Sequence, residues 1–311
     1  MKILITGGTG FIGQHLLEEL KDDAFSLRII SRQAKPAFWC TNKNFEVVQG
    51  DIADKGSLEK AFAGVDILVN LAAELRDPGK FEASNITGVK NIIELSEKNN
   101  IKKIVHLSSV GVVGMQYSRK KIVVDENTAC HPKNEYERTK LQSEILLNEF
   151  GKKSKTAINI LRPTNVFGDH HPRQALLGFL QRVKSGGSFP AAPDAVVNYV
   201  YAKDVAHALR FCLLNSIGNK TFNVGENMSF QDFLDLAAKE LNVRGNTTRL
   251  PSLVFALLEV FGYFGIKKLR AQFRGLSNCV EYRDSYMQQS VKYKYGIPSG
   301  LAHSVAFFKL K

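Results

Sequence analysis

The chain has 311 residues and a formal net charge of +12, from 42 lysines and arginines against 30 aspartates and glutamates. This length allows one large hydrophobic core or two smaller ones. The cysteines Cys40, Cys130, Cys212 and Cys279 form no CxxC pair and have no histidines at ligand spacing, which argues against a disulfide framework and a metal site and favours a reducing compartment. Residues 1–8 are typical of a strand and a glycine turn rather than of a signal peptide, so a cytoplasmic location is expected. The basic residues are dispersed, which disfavours a nucleic-acid partner and favours an anionic small-molecule substrate.

The first half of the chain alternates short β-branched runs with longer amphipathic segments. Strands are predicted at residues 2–6, 26–31, 45–49, 67–71, 103–108 and 157–162, and helices at residues 11–21, 57–62, 81–99 and 134–150. Short connections between such elements require right-handed crossovers, which place helices on both faces of a parallel sheet. The sequence therefore predicts an α/β fold built on a doubly wound parallel Rossmann sheet.

The pattern changes after residue 163. Residues 168–193 are rich in glycine, proline and histidine and predict a loop with one short helix at 174–184, which is typical of a pocket rim. Strands at 196–201 and 220–224, with a helix at 202–214 between them, predict that the chain returns to the sheet before leaving it. We therefore expect a Rossmann domain at 1–167 plus 196–226, and a smaller, discontinuous C-terminal substrate domain at 168–195 plus 227–311.

A glycine-rich loop follows the first predicted strand and opens the first predicted helix. In this order of strand, loop and helix, backbone N–H groups face the pyrophosphate of a dinucleotide. Gly7 permits the tight turn, Gly10 lets the phosphate approach, and Gly13 lets helix and strand pack closely. The predicted contacts in this loop are Gly7, Thr9, Gly10, Phe11, Ile12 and Gly13.

The residues that end the second predicted strand indicate which dinucleotide binds. An acidic residue there would accept a hydrogen bond from the ribose 2′-hydroxyl and select NAD. This chain has Ser31 and Arg32 instead, and a guanidinium beside a hydroxyl suits a 2′-phosphate. NADP(H) is therefore the expected cofactor, with NAD(H) as the alternative if Arg32 only stacks on the adenine.

Weaker cofactor contacts are predicted where the third and fourth strands end. Asp51 is placed to accept from the adenine amino group, beside Ile52. The small side chains after the fourth strand keep the backbone close to the cofactor, and these residues are Leu71, Ala72 and Ala73.

A tyrosine and a lysine in a YxxxK pattern share one face of a predicted helix. Tyr136 and Lys140 are one turn apart, so the ammonium can stabilise the phenolate. At about 4 Å and an effective dielectric of about 20 this is worth about 4 kcal/mol, or about three units of the phenol's pKa. Of the two serines that end the fifth strand, Ser109 is the predicted donor to the substrate oxygen, and Ser108 is expected to finish the strand.

Together these motifs resemble the extended short-chain dehydrogenase/reductase family, which includes NAD(P)-dependent epimerases and dehydratases. The resemblance covers most of the chain: TGGTGFIG at 6–13, serine 109, YERTK at 136–140, LRPTNV at 161–166, NYVYAKDVA at 198–206 and FNVG at 222–225. It implies that Ser109, Tyr136 and Lys140 form a catalytic set, and that Asn85 supports the lysine through water. It also implies a homodimer formed through helices 81–99 and 134–150. Contacts to the nicotinamide are implied for Pro163, Thr164, Asn165 and Val166.

The chain departs from the pattern of nucleotide-sugar enzymes at three places. Val113 and Asn198 replace a tyrosine and an arginine that such enzymes often carry, and residues 189–197 lack a glycine-rich turn. The apolar residues 253–266, followed by Lys267, Lys268 and Arg270, could contact a membrane surface, although a pocket lid or a subunit contact is the favoured interpretation.

Three functions stay open at this point. Charge and resemblance favour an enzyme that moves a hydride between NADP(H) and a secondary alcohol or ketone of a nucleotide sugar. Val113 and the apolar segment favour a hydrophobic sterol-like or flavanol-like ketone. A non-catalytic NADP-binding sensor or assembly subunit is the third, and Tyr136→Phe discriminates it from an enzyme.

Overall fold

The computed structural model describes residues 1–33, 45–115, 117–171, 175–245, 247–251, 254–255 and 274–309. The described strands are β1 (Lys2–Thr6), β2 (Ser26–Ser31), β3 (Phe45–Gln49), β4 (Ile67–Asn70), β5 (Lys103–Leu107), β6 (Ile122–Val124), β7 (Ala157–Pro163), β8 (Asn165–Phe167), β9 (Phe189–Ala191), β10 (Val196–Tyr201), β11 (Lys220–Val224), β12 (Glu226–Ser229), β13 (Thr247–Arg249) and β14 (Val280–Tyr282). The α-helices are α1 (Phe11–Leu20), α2 (Lys55–Phe62), α3 (Gly88–Lys98), α4 (Glu135–Lys153), α5 (Ala175–Lys184), α6 (Ala202–Leu214), α7 (Phe230–Leu241), α8 (Ser285–Ser290) and α9 (Gly296–Lys309).

Within these residues, seven strands form a parallel sheet in the order β11-β7-β5-β4-β1-β2-β3. Helices α1 and α6 pack together on one face, while α2, α3 and α4 pack side by side on the other. The strand order reverses between β1 and β4, and the carboxyl ends of the strands meet there at the edge where open α/β sheets bind ligands. The doubly wound parallel sheet predicted from the sequence is confirmed.

The central strands are buried on both faces, because side chains of a parallel strand alternate between two helical layers. In β1, for example, Ile3 and Ile5 pack under α1 and α6, while Leu4 packs under α2 and α3. All three are 0% exposed. A polar residue in such a strand must find its hydrogen bonds inside the protein, which matters for the site described below.

The C-terminal body packs beside the carboxyl edge of the sheet. It contains a separate three-stranded sheet, β12-β10-β8, together with α5, α7 and α9. Strand β10 joins the two bodies, because Val200 packs into the core under α6 whereas Tyr201 packs against α9. The expectation that both 196–201 and 220–224 return to the main sheet is therefore half wrong: β11 pairs with β7, but β10 pairs with β8 and β12. The two-domain division itself stays a prediction.

One predicted helix is interrupted. Residues 81–99 form a π-helical stretch, Glu82–Thr87, that leads into α3 at Gly88. Gly88 has no room for a side chain, since an added Cβ would lie 2.8 Å from Cδ1 of Ile52. Single π-helical turns are frequent at functional sites, and this one carries Asn85.

No helix among the described residues combines the length and the apolar character needed to cross a membrane. Of the apolar and basic segment at 250–274, the structure describes residues 250–251, 254–255 and 274. The proposed lid or membrane contact otherwise lies outside the described residues.

Candidate active site

The glycine loop has the geometry that a pyrophosphate site requires. Gly7 is left-handed, with φ of +68°, and an added Cβ would lie 2.7 Å from the backbone nitrogen of Ala72. At Gly13 an added Cβ would lie 2.4 Å from the carbonyl oxygen of Gly7, so only glycine lets the helix pack on the loop. Helix α1 begins after Gly10 without a side-chain cap and without an acidic residue in its first turn. Its N-terminal N–H groups and the positive end of its dipole therefore suit a diphosphate.

A groove with a volume of about 380 Å³ opens where β2 and β3 end. Its lining residues are Arg32, Gln49, Gly50, Asp51, Asp54 and Ser57. Arg32 is exposed, while Ser31 is buried and its hydroxyl accepts from the backbone nitrogen of Gln33 at 3.1 Å. The structure thus brings the predicted Arg32 and Asp51 to the same groove, and it places Ser31 just beneath.

The other predicted contacts at this edge occupy two neighbouring strand ends. Leu71, Ala72 and Ala73 follow β4 and are half-buried, and the backbone nitrogen of Leu71 donates to the carbonyl oxygen of Thr6 at 3.1 Å. This contact places them directly beside the glycine loop. Ile52 is 7% exposed and packs beneath α3, so its side chain contributes to the core.

Residues 163–166 cross from β7 to β8. Pro163 ends β7, and the buried Thr164 donates its backbone N–H to the carbonyl oxygen of Val224 at 3.0 Å. Asn165 is exposed, and its amide donates to the carbonyl oxygen of Asn198 at 3.0 Å, while Val166 is half-buried. The predicted role of these residues at the nicotinamide stays a prediction.

Helix α4 carries the tyrosine and the lysine, and its start is fixed by a reciprocal cap. The Asn134 side chain accepts from the backbone nitrogen of Glu137 at 2.9 Å, and the Glu137 carboxylate accepts from that of Lys133 at 2.6 Å. This cap fixes the first turn, in which Tyr136 is half-buried with its ring 6.0 Å from that of Phe81. Tyr136 is thus partly accessible to solvent at the start of α4.

Lys140 is 2% exposed, on the inner side of the same helix. Its Nζ donates to the carbonyl oxygen of Leu107 at 2.7 Å and lies 3.2 Å from Nε2 of His106. Burial lowers the pKa of Lys140 to about 8, although the nearby Glu144 carboxylate acts to raise it. A lysine with this pKa can exchange a proton near neutral pH.

Ser109 lies two residues beyond Leu107 and begins a 3-10 helix, Val110–Val113, that packs against α4. Its hydroxyl oxygen accepts from the backbone nitrogen of Gly111 at 3.0 Å, a bond that does not use the hydroxyl proton. Ser108 instead donates to the Glu144 carboxylate inside the protein. Ser108 is thus engaged inside the protein, and the role of Ser109 at the substrate oxygen stays a prediction.

Asn85 links the π-helical turn to α4. Its amide nitrogen donates to the hydroxyl of Thr139 at 3.1 Å, and its amide oxygen accepts from the backbone nitrogen of Glu74 at 2.9 Å. The carbonyl oxygen of Asn85 accepts from the hydroxyl of Ser143 at 2.5 Å. Its contacts are thus with the helix that carries the tyrosine and lysine, and support of Lys140 through water stays a prediction.

The sequence analysis missed two pairs of buried polar side chains behind the site. Glu144 and Arg162, with side chains 2% and 8% exposed, form an ion pair with contacts of 2.6, 3.1 and 3.2 Å that joins α4 to β7. His106 and Asn70 lie in β5 and β4 and contact each other at 3.0 Å. For the three strand residues, Asn70, His106 and Arg162, the sequence offered a signal. A polar side chain within a run of β-branched residues is buried in a parallel sheet and must therefore have a hydrogen-bond partner.

Two departures from the family pattern, Val113 and Asn198, concern the packing of the protein and not a substrate. Val113 is 1% exposed and packs with Val280 and Tyr282, so its apolar side chain says nothing about a substrate pocket. Asn198 is 5% exposed, and its amide donates to the side chain of Asn227 at 2.8 Å and to the carbonyl oxygen of Val280 at 2.9 Å. Asn198 therefore joins β10 to β12 and β14.

A parallel Rossmann sheet, a glycine loop at an uncapped helix and a YxxxK pair beside a serine define a dinucleotide-dependent enzyme of the extended short-chain dehydrogenase type. Residues 3–225 match the model of the NAD dependent epimerase/dehydratase family. The chain belongs to that family.

Relatives and solved structures agree with this assignment. The chain is 32% identical over 232 residues to N-acetyl-alpha-D-glucosaminyl-diphospho-ditrans,octacis-undecaprenol 4-epimerase of Escherichia coli O157:H7, a match that covers 71% of this chain but 66%, just under two thirds, of the relative. It is 25% identical to dTDP-D-glucose 4,6-dehydratase of Homo sapiens, over 77% of this chain and 73% of that protein. The fold is similar to UDP-glucose 4-epimerase of Thermotoga maritima, solved with UDP-glucose, at a TM-score of 0.76 and 22% identity over 100% of this chain and 99% of that one.

Proposed function

We propose that this chain moves a hydride between NADP(H) and a secondary alcohol or ketone of a sugar carried on a diphosphate. The observation that carries the proposal is Lys140, buried one turn beyond Tyr136, with its Nζ donating to the carbonyl oxygen of Leu107, two residues before Ser109. The glycine loop and the groove at Arg32 lie along the same edge of the sheet.

The residues have distinct tasks in this reaction. The cofactor, when bound, accepts or returns the hydride. Tyr136 removes the hydroxyl proton of the alcohol as the carbonyl forms, or returns it in the reverse direction. Lys140 lowers the pKa of the phenol by its charge. Ser109 donates its hydroxyl proton to the substrate oxygen on which negative charge develops.

The preference for NADP(H) over NAD(H) is supported by Ser31 and Arg32. No carboxylate follows β2 to accept from a ribose 2′-hydroxyl, and Arg32 is exposed at the groove where a 2′-phosphate would lie. The family is described as NAD dependent, so cofactor selection is the part of the proposal most open to measurement.

The test is a fluorescence titration of the purified protein with NADPH and with NADH. We expect NADPH to bind at least about tenfold tighter, or about 1.4 kcal/mol, and Arg32→Ala to lose that margin. Arg244→Ala, at an exposed arginine beyond α7, is the matched control and should keep it. Equal or tighter binding of NADH by the wild type would assign the chain to NAD(H).

The sugar carrier is a nucleoside diphosphate or a polyprenyl diphosphate. Net charge of +12 favours an anionic substrate in both cases. The polyprenyl form is favoured by the name of the Escherichia coli relative and by the apolar residues 253–266 with their basic flank.

Incubation of the protein with UDP-sugars and with polyprenyl-diphosphate sugars, followed by chromatography of the released sugars, tests this. Without net use of nucleotide, formation of an isomeric sugar identifies an epimerase and loss of water identifies a dehydratase, whereas stoichiometric loss of NADPH identifies a reductase. Tyr136→Phe should abolish all three.

Two other functions stay as competitors. A hydrophobic ketone reductase would consume NADPH with sterol-like or flavanol-like ketones and leave every sugar diphosphate unchanged. A non-catalytic sensor would bind NADPH, and its biological activity would survive Tyr136→Phe.

We also propose a homodimer in which the 81–99 segment and α4 form the contact, as in related enzymes. The exposed Ile145 on α4, 41% accessible, is consistent with a covered surface there. A monomeric mass by light scattering at micromolar concentration would refute the dimer. The cytoplasmic location stays a prediction from the sequence.

A further inference from the structure

A chain of four polar side chains runs through the interior behind the candidate active site. Its members are Thr6 at the end of β1, Asn70 at the end of β4, His106 in β5 and Lys140 on α4, each 2% exposed or less. The Thr6 hydroxyl donates to Oδ1 of Asn70 at 2.5 Å, Nδ2 of Asn70 lies 3.0 Å from Nδ1 of His106, and Nε2 of His106 lies 3.2 Å from Nζ of Lys140. This series of hydrogen-bonded side chains thus connects the glycine loop to the lysine.

The direction of each hydrogen bond follows from what each atom can do. Nδ2 of an asparagine only donates, so Nδ1 of His106 accepts from Asn70. A neutral imidazole carries one proton, which must then be on Nε2, and that N–H points at Nζ of Lys140. Nζ can accept it only as the neutral amine, which still donates to the carbonyl oxygen of Leu107 at 2.7 Å. This arrangement is the one that suits an uncharged lysine.

The charged lysine requires the opposite polarity. An ammonium has no lone pair, so it must donate to Nε2, and the imidazole proton must then be on Nδ1. The Asn70 amide would turn by 180° so that its oxygen accepts from Nδ1 and its nitrogen donates to the Thr6 hydroxyl. Amide oxygen and nitrogen have nearly the same size, so the Asn70 amide fits the same space in both orientations. In the turned orientation the Thr6 hydroxyl oxygen accepts from Nδ2 as well as from the backbone nitrogen of Ala72 at 3.3 Å, and the hydroxyl proton must rotate away from Asn70.

We propose that His106 is a positioning residue whose tautomer follows the charge of Lys140, so that the lysine keeps its place while it gains or loses a proton. Protons balance in this exchange. Going from ammonium to amine, the Lys140–His106 pair as a whole loses one proton to solvent, and the imidazole ends neutral with its remaining proton on Nε2. The relevance to catalysis rests on the proposed function of Lys140, whereas the tautomer exchange does not.

The surroundings keep the imidazole neutral across this exchange. Burial, followed by the nearby Lys140 charge, holds the pKa of His106 well below its ordinary value of 6.5. Glu144 on α4 is the other titratable group whose charge acts on Lys140, and it pairs with Arg162 on β7. Arg162 balances the charge of Glu144, which leaves the lysine free to titrate near pH 8.

Nitrogen NMR of protein labelled with ¹⁵N-histidine tests the exchange without substrate or cofactor, because Nδ1–H and Nε2–H tautomers have distinct shifts. His106→Asn identifies the His106 signals by their loss. We expect the wild type to change from Nδ1–H below pH 8 to Nε2–H above it, with no imidazolium. In Lys140→Met the tautomer should not change with pH. A fixed tautomer in the wild type, or a change that persists in Lys140→Met, overturns the proposal.

A matched pair of variants tests whether the contact between His106 and Lys140 affects activity. A glutamine at 106 places its amide near the position of Nε2 and keeps the contact with Lys140, whereas an asparagine reaches only the position of Nδ1. The pH at which activity is half-maximal should move by about one unit, a tenfold change in proton affinity, in His106→Asn but stay near the wild-type value in His106→Gln. Equal shifts in both variants would overturn the positioning role. A tautomer exchange in a protein with no activity on any tested substrate would overturn the proposed function alone.

Discussion

Replacing the buried lysine by methionine should make the protein more stable at neutral pH while it abolishes activity. The pKa of Lys140 falls from 10.5 to about 8 in the folded protein, chiefly because burial penalises the charge. A drop of two to three units costs about 3 kcal/mol at 1.36 kcal/mol per unit. Lys140→Met removes this cost but also removes the hydrogen bond to the Leu107 carbonyl oxygen and the contact with Nε2 of His106, which together are worth about 2 kcal/mol. We therefore expect a net gain of about 1 kcal/mol at pH 7.

The lowered pKa of Lys140 determines how the unfolding free energy changes with pH. A lysine with a depressed folded pKa destabilises the fold fully below about pH 8, where both folded and unfolded chains are protonated. The cost disappears as pH rises from about 8 to 10.5, because the folded chain releases its proton first. Urea denaturation at pH 7 and pH 10, followed by circular dichroism, should show the advantage of Lys140→Met at pH 7 and little advantage at pH 10.

Lys103 provides the matched control, because it is also a buried lysine with a lowered pKa. Its Nζ donates to the carbonyl oxygens of Cys212, Leu213 and Asn215 at 2.7, 3.2 and 2.8 Å, where α6 ends. Lys103→Met should therefore lose about 2 kcal/mol or more, since charge-assisted bonds to a helix C-terminus are removed. If Lys140→Met is less stable than the wild type at pH 7, the reasoning that desolvation dominates at Lys140 is refuted.

Three further predictions concern the loop, the ion pair and a buried carboxyl. Gly13→Ala should weaken NADPH binding at least about tenfold in a fluorescence titration, because the added Cβ has no room, whereas Gly178→Ala, which meets nothing within 4 Å, should bind normally. Arg162→Met should lose about 3–5 kcal/mol of unfolding free energy by leaving Glu144 buried and unpaired, and a double variant with Glu144→Leu should regain most of it; a loss under about 1 kcal/mol would contradict this. Burial raises the pKa of Asp284 from 3.8 to about 7, so its contribution to stability is full below pH 4 and lost as pH rises through 7. The difference in unfolding free energy between Asp284→Asn and the wild type should shift by about 2–4 kcal/mol in favour of the variant when the pH is raised from 4 to 8. Urea denaturation at both pH values measures this difference, and a difference that does not change with pH would contradict the prediction.

The sequence predicts the sheet closely because its pattern is local. The bounds of β1, β2, β3, β10, β11 and α6 agree with the predicted ranges, since each is a β-branched run or an amphipathic stretch between clear turn residues. The short strands β6, β8, β9, β12, β13 and β14 were missed. Most of them pair with segments more than thirty residues away, as in the register of Val280 with Ile122, and no local pattern indicates such a partner.

The candidate site divides in the same way. The glycine loop and the YxxxK pair are recognisable because their geometry depends on one turn of backbone. By contrast, the contacts of Lys140 with His106, and of Glu144 with Arg162, join different elements that meet only in the folded chain. Single residues were also misread for this reason: Val113 suggested an apolar pocket, but it faces Val280 in a packed cluster.

The polar contacts of α4 explain why a sequence motif this short can specify a site. The helix is joined to β5 through Lys140 and Leu107, to β7 through Glu144, and to the π-helical turn through Ser143 and Asn85. Two of these bonds are buried and the bond to Leu107 is partly buried, so breaking one leaves a poorly solvated group unpaired, which costs more than breaking an exposed bond. Tyr136 is thus carried on a helix fixed at three points along one face. These three connections restrain α4 and so hold Tyr136, the proposed acid–base residue, in place.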